Sequence, residues 1–131
     1  MHEDDELQRW HFRKKALIER QGNFFFHERE VWLAHLGVNV GSEQNGSGEG
    51  FLRPVIIIRK FSKALFWEVP LTTADKQGSR YFQFKTRNGF DGKAIISQLR
   101  LCDARRLHKK IGLLSEEEFI LLKAKIRQLL A

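Results

Sequence analysis

Two short apolar runs lie close together near the middle of the sequence and limit what the chain can fold into. The first is Val55 to Ile58, the second is Leu65 to Val69, and the basic segment Arg59 to Lys63 separates them. Bounded runs of this length, rich in β-branched and aromatic residues, predict an antiparallel hairpin. Because the open ends of a hairpin lie side by side, Arg53 and Thr72-Thr73 should meet at one edge of the sheet. The sequence therefore predicts a permanent cation beside two hydroxyl groups at a loop-rich rim, where functional groups often lie.

Composition indicates a single globular domain with an acidic partner. The chain has 131 residues, of which 42% are hydrophobic and 30% charged, as in an ordinary globular domain. Its formal net charge of +7 favours RNA, DNA or an acidic protein segment as partner, and the open alternative is a generally solvated basic surface without such a partner. No apolar run approaches the roughly 20 residues that span a bilayer, and the acidic N-terminus is unlike a secretory signal. We expect a cytoplasmic protein with no membrane association, in which the single cysteine, Cys102, is a free buried thiol.

A helix is expected at the N-terminus. The segment from Asp4 to Arg20 has acidic residues in its first turn and basic ones later, as the helix dipole favours. Two interpretations stay open for this helix. It either packs against a sheet edge or contacts a partner or RNA through a set of basic side chains, namely Arg9, Arg13, Lys14 and Lys15.

The remaining segments predict more strands and two further helices. The expected strands are Val31 to Leu36, Arg80 to Thr86 and Lys93 to Gln98, and the last two form a second hairpin. A short basic helix is predicted over Asp103 to Lys110. The closing helix begins with a capping box between Ser115 and Glu118, and its apolar stripe consists of Phe119, Leu122, Ile126 and Leu129.

The histidines give no sign of a metal site. The chain has five, His2, His11, His27, His35 and His108, and none has a metal-ligand spacing to another histidine or to Cys102. We therefore predict no metal, and we interpret His35 as a partly buried strand residue rather than a ligand.

Five motifs occur in an order that carries a family resemblance. They are Glu30-Val31-Trp32-Leu33, the loop Gly41 to Gly46 with Glu43-Gln44, the pair Arg53-Pro54 with Val69-Pro70-Leu71-Thr72 at the two hairpin ends, Ser97-Gln98-Leu99-Arg100, and the segment from Arg106 to Glu118. Taken in sequence they resemble the MazF/PemK family of bacterial toxins, which are metal-independent endoribonucleases of type II toxin-antitoxin pairs. The resemblance runs from about Glu28 to the C-terminus.

The resemblance implies a fold, a partner and a reaction. The fold would be mainly β, a small SH3-like barrel with a strongly bent antiparallel sheet and a C-terminal helix. Residues 1–27 would be a helical extension and residues 28–131 the toxin domain. A homodimer would cleave single-stranded mRNA, without cofactor, to 2′,3′-cyclic phosphate and 5′-hydroxyl ends, and an acidic segment of an antitoxin would bind over the active groove.

The resemblance also assigns site residues. Arg53 and Thr72 match the residues tied to catalysis in the family, and a guanidinium can hold two phosphate oxygens while staying charged. Arginine is a poor base, so Glu43 is a candidate for the acid or base. Gln44, Thr73, Lys76 and Gln98 are expected around the RNA groove.

One departure from the family pattern keeps other functions open. Some members use an Asp and an Arg on the strand that corresponds to Ile95 to Gln98, where this chain has Ile95 and Ser97. The alternatives are an inactive barrel that binds RNA or an antitoxin, a gyrase inhibitor of the CcdB type, and an unrelated nucleic-acid-binding barrel. The gyrase inhibitors rely on a C-terminal Trp-Gly-Ile, whereas this chain ends Leu129-Leu130-Ala131, which disfavours that class.

Overall fold

Seven antiparallel strands and a C-terminal helix make up the part of the chain described by the computed structural model, which is residue 9 together with residues 25–36, 52–86 and 91–131. The elements are β1 (Glu30–His35), β2 (Leu52–Lys60), β3 (Leu65–Thr72), β4 (Tyr81–Lys85), β5 (Asp91–Ile95), β6 (Arg100–Asp103), β7 (Leu107–Leu113), two 3-10 turns (Ile96–Gln98 and Ala104–Arg106) and the C-terminal helix (Glu116–Leu130). The strand order is β4-β5-β3-β2-β1-β7, and β6 also pairs with β3. The predicted mainly β fold is confirmed, and within the described residues the sheet is open rather than closed.

The central hairpin is present as predicted, and its two strands are longer than the two apolar runs from which it was predicted. Strand β2 pairs with β3 from Val55 opposite Pro70 to Lys60 opposite Phe66. Strand β2 also pairs with β1 on its other side, so its backbone groups are used on both edges. This double pairing extends the strand beyond the predicted limits, and it makes β2 and β3 the centre of the sheet.

The sheet separates two hydrophobic cores. The helix-side core contains Val31, Ile56, Ile58, Val69, Leu71, Phe84, Ala94, Ile96 and Leu114 together with Phe119, Leu122 and Ile126 of the C-terminal helix. The strand-side core lies on the opposite face and contains Phe26, Ala34, Val55, Ile57, Phe66, Cys102, Ala104 and Leu107. Alternate residues of β2 therefore enter different cores, which explains why this strand is a continuous apolar run instead of an alternating one.

The C-terminal helix begins and packs largely as its sequence predicts. The Ser115 hydroxyl accepts a hydrogen bond from the Glu118 backbone N–H at 3.1 Å, which confirms the Ser115 half of the capping box. The Glu118 carboxylate accepts from the Lys85 backbone N–H at 3.2 Å, so it ties the helix to β4. The predicted position of Leu129 on the apolar stripe is wrong: the helix is exposed from Arg127 onward, and its last buried side chain is Ile126.

One predicted element is wrong, and another is present in its predicted hairpin but ends earlier than predicted. The segment Asp103 to Lys110 is not a helix: after the second 3-10 turn it enters β7, where Leu107 is fully buried and pairs with Ala34. The expected strand Lys93 to Gln98 ends at Ile95, because its ladder with β4 ends there and the chain turns to rejoin β3 as β6. Pairing with distant strands overrides local propensity in both segments.

Other predictions concern the N-terminal part of the chain and the membrane. Of the helix expected from Asp4 to Arg20, the structure describes Arg9, which is helical and exposed; the rest lies outside the described residues. Phe26 is fully buried, whereas Phe25 is exposed. The described part of the chain contains no helix long and apolar enough to cross a membrane.

A buried carboxylate fixes the start of the sheet. Glu30 accepts hydrogen bonds from the His27 backbone N–H at 2.8 Å and from Trp32 Nε1 at 3.0 Å, and its Oε2 lies 3.0 Å from Lys110 Nζ. Burial raises the pKa of Glu30, but the contacts with Trp32, Lys110 and His27 together outweigh it and lower the pKa below 4.5. The ionised carboxylate therefore joins the turn before β1 to β7.

We expect Glu30→Gln to lower the free energy of unfolding at pH 7 by about 1.5–3 kcal/mol, the range for hydrogen bonds to charged groups. Because the folded-state pKa is lowered, this stabilisation is present above pH 4.5 and is lost as the pH falls through the folded-state pKa. Denaturant unfolding at several pH values measures it. The exposed Glu117→Gln is the control, with an expected change within about 0.5 kcal/mol. An equal difference between wild type and Glu30→Gln at pH 7 and pH 3 would contradict the assignment.

Candidate functional site

Arg53 lies where the predicted hairpin would place it, on β2 beside the end of β3. Its Nη2 donates a hydrogen bond to the Leu71 carbonyl oxygen at 3.0 Å, so the guanidinium is held against the residue that precedes Thr72. The side chain is half-buried. Its Nε is buried and has no hydrogen-bond partner among the residues that the structure describes.

Thr72 ends β3 and has its hydroxyl oriented by the chain that follows. The Oγ1 atom accepts a hydrogen bond from the Ala74 backbone N–H at 3.1 Å, a local turn typical of threonine after a strand. Because this contact uses the oxygen as acceptor, the O–H is left to donate elsewhere. The structure therefore brings Arg53 and Thr72 to the same end of the hairpin, as the sequence predicts.

The loop after Thr72 carries Thr73 and Lys76, which are both exposed. Lys93 on β5 pairs opposite Thr72. The Lys93 ammonium donates to the Lys76 carbonyl oxygen and lies 3.5 Å from the Asp75 carboxylate. Lys93, which carries no motif that marks it in the sequence, thus anchors this loop beside Thr72.

Gln98 is partly exposed and lies in the first 3-10 turn. This turn connects Lys93, opposite Thr72, with Arg100, opposite Glu68, so Gln98 runs alongside the same half of β3. Glu43 and Gln44, the other two loop candidates, lie outside the described residues. Arg13, Lys14 and Lys15 lie outside them as well.

A charged cluster around one buried carboxyl group, not anticipated from the sequence, adjoins Arg53. It consists of Glu68 on β3, Arg100 on β6 and Arg106 in the second 3-10 turn. Glu68 is fully buried, its Oε1 lies 3.7 Å from Arg100 Nε, and Arg106 donates from Nη1 to the His35 carbonyl oxygen at 3.0 Å. The one feature of the sequence that points to this cluster is Glu68 itself, an acidic residue inside the apolar run Phe66 to Leu71.

The charges of this cluster act on one another. Burial raises the pKa of Glu68 to about 8, although the positive charges of Arg100, Arg53 and Arg106 oppose the shift. Burial, and secondarily the charge of Arg100, lower the pKa of Arg53, while Glu68 raises it. The Arg53 guanidinium still carries its charge at neutral pH, because arginine starts from a pKa above 12.

The arrangement suits phosphate binding. A half-buried guanidinium has N–H groups for two phosphate oxygens. Among the described residues, the threonine hydroxyl next to it is seen only as an acceptor, so its O–H can donate to the same phosphate. Across residues 25–36, 52–86 and 91–131, no group of three or more His, Cys, Asp or Glu side chains is placed to hold a metal ion. His35 is buried and its ring contacts that of His108 edge to face at 5.3 Å. Cys102 is a buried free thiol, as expected.

Comparison with known proteins decides the family. A family model described as the PemK-like, MazF-like toxin of type II toxin-antitoxin systems matches residues 27–130. The chain belongs to this family. The match includes every strand and the C-terminal helix, so it confirms the relationship that the five motifs indicated. MazF-family toxins are endoribonucleases in general.

Solved structures show the same fold at low identity. The MazF of Deinococcus radiodurans in its first crystal form has a TM-score of 0.64 and 16% identity, covering 82% of this chain and 98% of that one. An endoribonuclease from a mycobacterial species, crystallised with its cognate antitoxin, has a TM-score of 0.62 and 13% identity, covering 79% and 92%. The Mycobacterium tuberculosis toxin MazF-mt6 has a TM-score of 0.57 and 16% identity, covering 76% and 94%. No curated protein sequence gives a significant match.

Ile95 and Ser97 occupy the two positions at which the sequence departs from the motif of some MazF/PemK members. Ser97 is exposed in the first 3-10 turn, and Ile95 is buried at the end of β5. Neither side chain can transfer a proton in place of a carboxylate. A carboxyl group nevertheless lies near this segment, because Glu68 pairs with Arg100, three residues after Ser97.

Proposed function

We propose that this MazF/PemK-family chain is a toxin that cleaves single-stranded mRNA at a specific sequence without a metal ion, leaving 2′,3′-cyclic phosphate and 5′-hydroxyl ends. One observation carries the proposal: the Arg53 guanidinium is fixed to the Leu71 carbonyl oxygen beside Thr72. Attack of the ribose 2′-hydroxyl on the adjacent phosphate builds negative charge on the phosphoryl oxygens. Preformed donors placed where that charge develops stabilise the transition state.

Arg53 and Thr72 have separate tasks in this reaction. Arg53 binds the phosphoryl oxygens through N–H groups other than the one bonded to Leu71. Thr72 donates a hydrogen bond from its hydroxyl group to the same phosphate, since the hydroxyl oxygen already accepts one from the Ala74 N–H. Removal of the 2′-hydroxyl proton is a third task, and Glu43 is the proposed base. As the 2′ oxygen bonds to phosphorus, the bond from phosphorus to the 5′ oxygen breaks, and that oxygen takes a proton from the protonated Glu43 or from solvent water to become the 5′-hydroxyl.

RNA selection is proposed to rest on the groups that surround this pair. Thr73 and Lys76 are exposed on the loop anchored by Lys93, and Gln98 lies along the same half of β3. With Gln44 they would contact bases displayed by a single strand, because an A-form duplex hides its base edges in a deep groove.

The partners proposed are a second copy of the chain and an antitoxin with an acidic segment. The hairpin and the neighbouring β6 expose a cluster of large apolar side chains, Phe61, Leu65, Trp67 and Leu101. Trp67 pairs directly with Leu101 across β3 and β6. Contiguous exposed apolar side chains are typical of protein interfaces, which supports a homodimer. The net charge of +7 suits an acidic segment.

Ser97 supports a second candidate, an inactive member of the family that binds RNA or an antitoxin. In that protein the cluster around Arg53 would still bind phosphate, but no group would complete proton transfer. The two candidates predict the same complexes and differ in the fate of the RNA.

An assay in which purified protein is incubated with a long unstructured RNA in excess EDTA distinguishes the active ribonuclease from the inactive binder. We expect cuts at one short motif, with products that carry a cyclic phosphate and a 5′-hydroxyl. Cuts abolished by EDTA would overturn the metal-independent mechanism. Intact RNA that is nevertheless retained by folded protein would favour the inactive binder.

A further inference from the structure

Glu68 is a carboxyl group in an unusual place, at the boundary between the strand-side core and the candidate site. It pairs opposite Ile57 on β2 and opposite Arg100 on β6. Cross-strand partners share a face of the sheet, so Glu68 faces the same side as Ile57 and Phe66, which belong to the strand-side core.

The same alternation connects Glu68 to the site. On β2, Arg53 lies four residues before Ile57, and on β3, Thr72 lies four residues after Glu68. Side chains separated by two or four residues lie on one face of a strand. Glu68, Arg53 and Thr72 therefore share one face, with Glu68 innermost and Thr72 at the rim.

The carboxyl group is close to cations but is not saturated by them. Arg100 Nε lies 3.7 Å from Oε1, beyond hydrogen-bond distance. Both Glu68 oxygens and Arg53 Nε are buried, and in the described part of the chain none of the three has a hydrogen-bond partner. A buried acceptor that lacks a donor is costly, and it gives nearby donors a reason to turn toward it.

We propose that Glu68 is a positioning residue for RNA cleavage: its carboxylate balances the charges of Arg53 and Arg100 from inside the sheet and orients Arg53 toward the phosphate. This rests on the proposed ribonuclease function. The carboxylate would supply, from β3, the negative charge that the family has where this chain carries Ser97. Glu68 is fully buried, so it acts through the two arginines and does not touch RNA.

This role implies a particular pH dependence. The groups that face Glu68 are Arg53 from β2, Arg100 and Cys102 from β6, and Arg106 from the second 3-10 turn. The arginines stay charged, and burial raises the pKa of Cys102 to about 12, so Glu68 is the group in this cluster that titrates near pH 8. Above that pH the charged Glu68 carboxylate attracts and orients the Arg53 guanidinium. Below that pH the neutral acid has no charge with which to do so.

The test compares wild type with Glu68→Gln, which has the shape of the neutral acid. We expect the ratio of wild-type to variant kcat to approach 1 below about pH 6 and to rise to about 10–100-fold above pH 9, the loss seen when outer-shell residues that orient metal ligands are replaced. KM for RNA should change less than about threefold. Glu68→Asp, which keeps the charge, should restore part of kcat at high pH. The exposed Glu117→Gln should match wild type.

A ratio of kcat values that is the same at all pH values would overturn the proposal, since it would mean a purely structural role. A second measurement needs neither catalysis nor a folded Glu68 variant. In protein labelled with carbon-13 at glutamate carboxyls, Arg53→Ala should raise the titration midpoint of Glu68, because Arg53 lowers it in the wild type. An unchanged midpoint would also overturn the proposal. If wild type does not cleave RNA but Arg53→Ala still raises the Glu68 titration midpoint, the proposed function alone is refuted.

Discussion

Arg53→Ala is expected to reduce the rate of RNA cleavage at least about 10²–10³-fold, the loss seen when one preorganised donor to a developing oxyanion is removed. The structure gives the reason: this guanidinium is the charged donor fixed beside Thr72 by its bond to the Leu71 carbonyl oxygen. Single-turnover cleavage of an RNA containing the recognition motif measures the effect. Arg53→Lys should recover only part of the rate, because an ammonium cannot hold two phosphate oxygens as a guanidinium does.

The matched control for Arg53→Ala is Arg59→Ala. Arg59 is on the same strand, but it is exposed and stacks over the Phe61 ring at 5.3 Å, at the turn end of the hairpin. We expect Arg59→Ala to cleave RNA within about twofold of wild type, since it removes the same charge away from the site. Equal loss in both variants would show that general basic charge, and not Arg53, explains the activity.

Phe66→Ala is expected to destabilise the protein by about 3–5 kcal/mol, the range for truncating a buried phenylalanine. Phe66 is completely buried in the strand-side core, and its ring packs against Phe26 with centroids 5.0 Å apart. Its removal leaves a cavity between the hairpin and the segment before β1. Chemical denaturation followed by tryptophan fluorescence gives the free energy of unfolding.

Phe61→Ala is the control for the core prediction. This ring is removed from the same hairpin, but it is 47% exposed and contacts mainly the Trp67 ring at 5.0 Å. The expected cost is clearly smaller than that of Phe66→Ala, because the aromatic pair adds at most about 1.5 kcal/mol beyond area burial and about half of the Phe61 ring already faces water. If Phe66→Ala cost no more than Phe61→Ala, the strand-side core would not be a main source of stability.

Local patterns were sufficient to predict the hairpin, the start of the C-terminal helix and the meeting of Arg53 with Thr72. These features depend on residues near one another in sequence: two apolar runs with a basic turn, or Ser115 followed by Glu118. Hairpin geometry then determines which residues meet at its open end. The side-chain contacts at Leu71 and Ala74 could not be read from the sequence, because they depend on backbone atoms and rotamers.

The errors arose where distant pairing decides the structure. The basic residues from Arg105 to Lys110 suggested a helix, but Leu107 pairs with Ala34, far away in sequence. Glu68 was overlooked for a related reason. A lone acidic residue in an alternating strand usually points to solvent, whereas here that face of β3 is covered by the strand-side core. Only the three-dimensional arrangement shows that the Glu68 carboxyl is inside.

The position of β2 between two cores has a consequence for how such a toxin can evolve. A strand with close-packed side chains on both faces and neighbours on both edges cannot shift without disturbing the whole domain. The arginine on it is therefore a fixed point, while the turns that carry Thr73, Lys76 and Gln98 are free to vary in sequence and length. Under the proposed function, exchange of these turns would change the recognition motif and leave the cleavage chemistry unchanged.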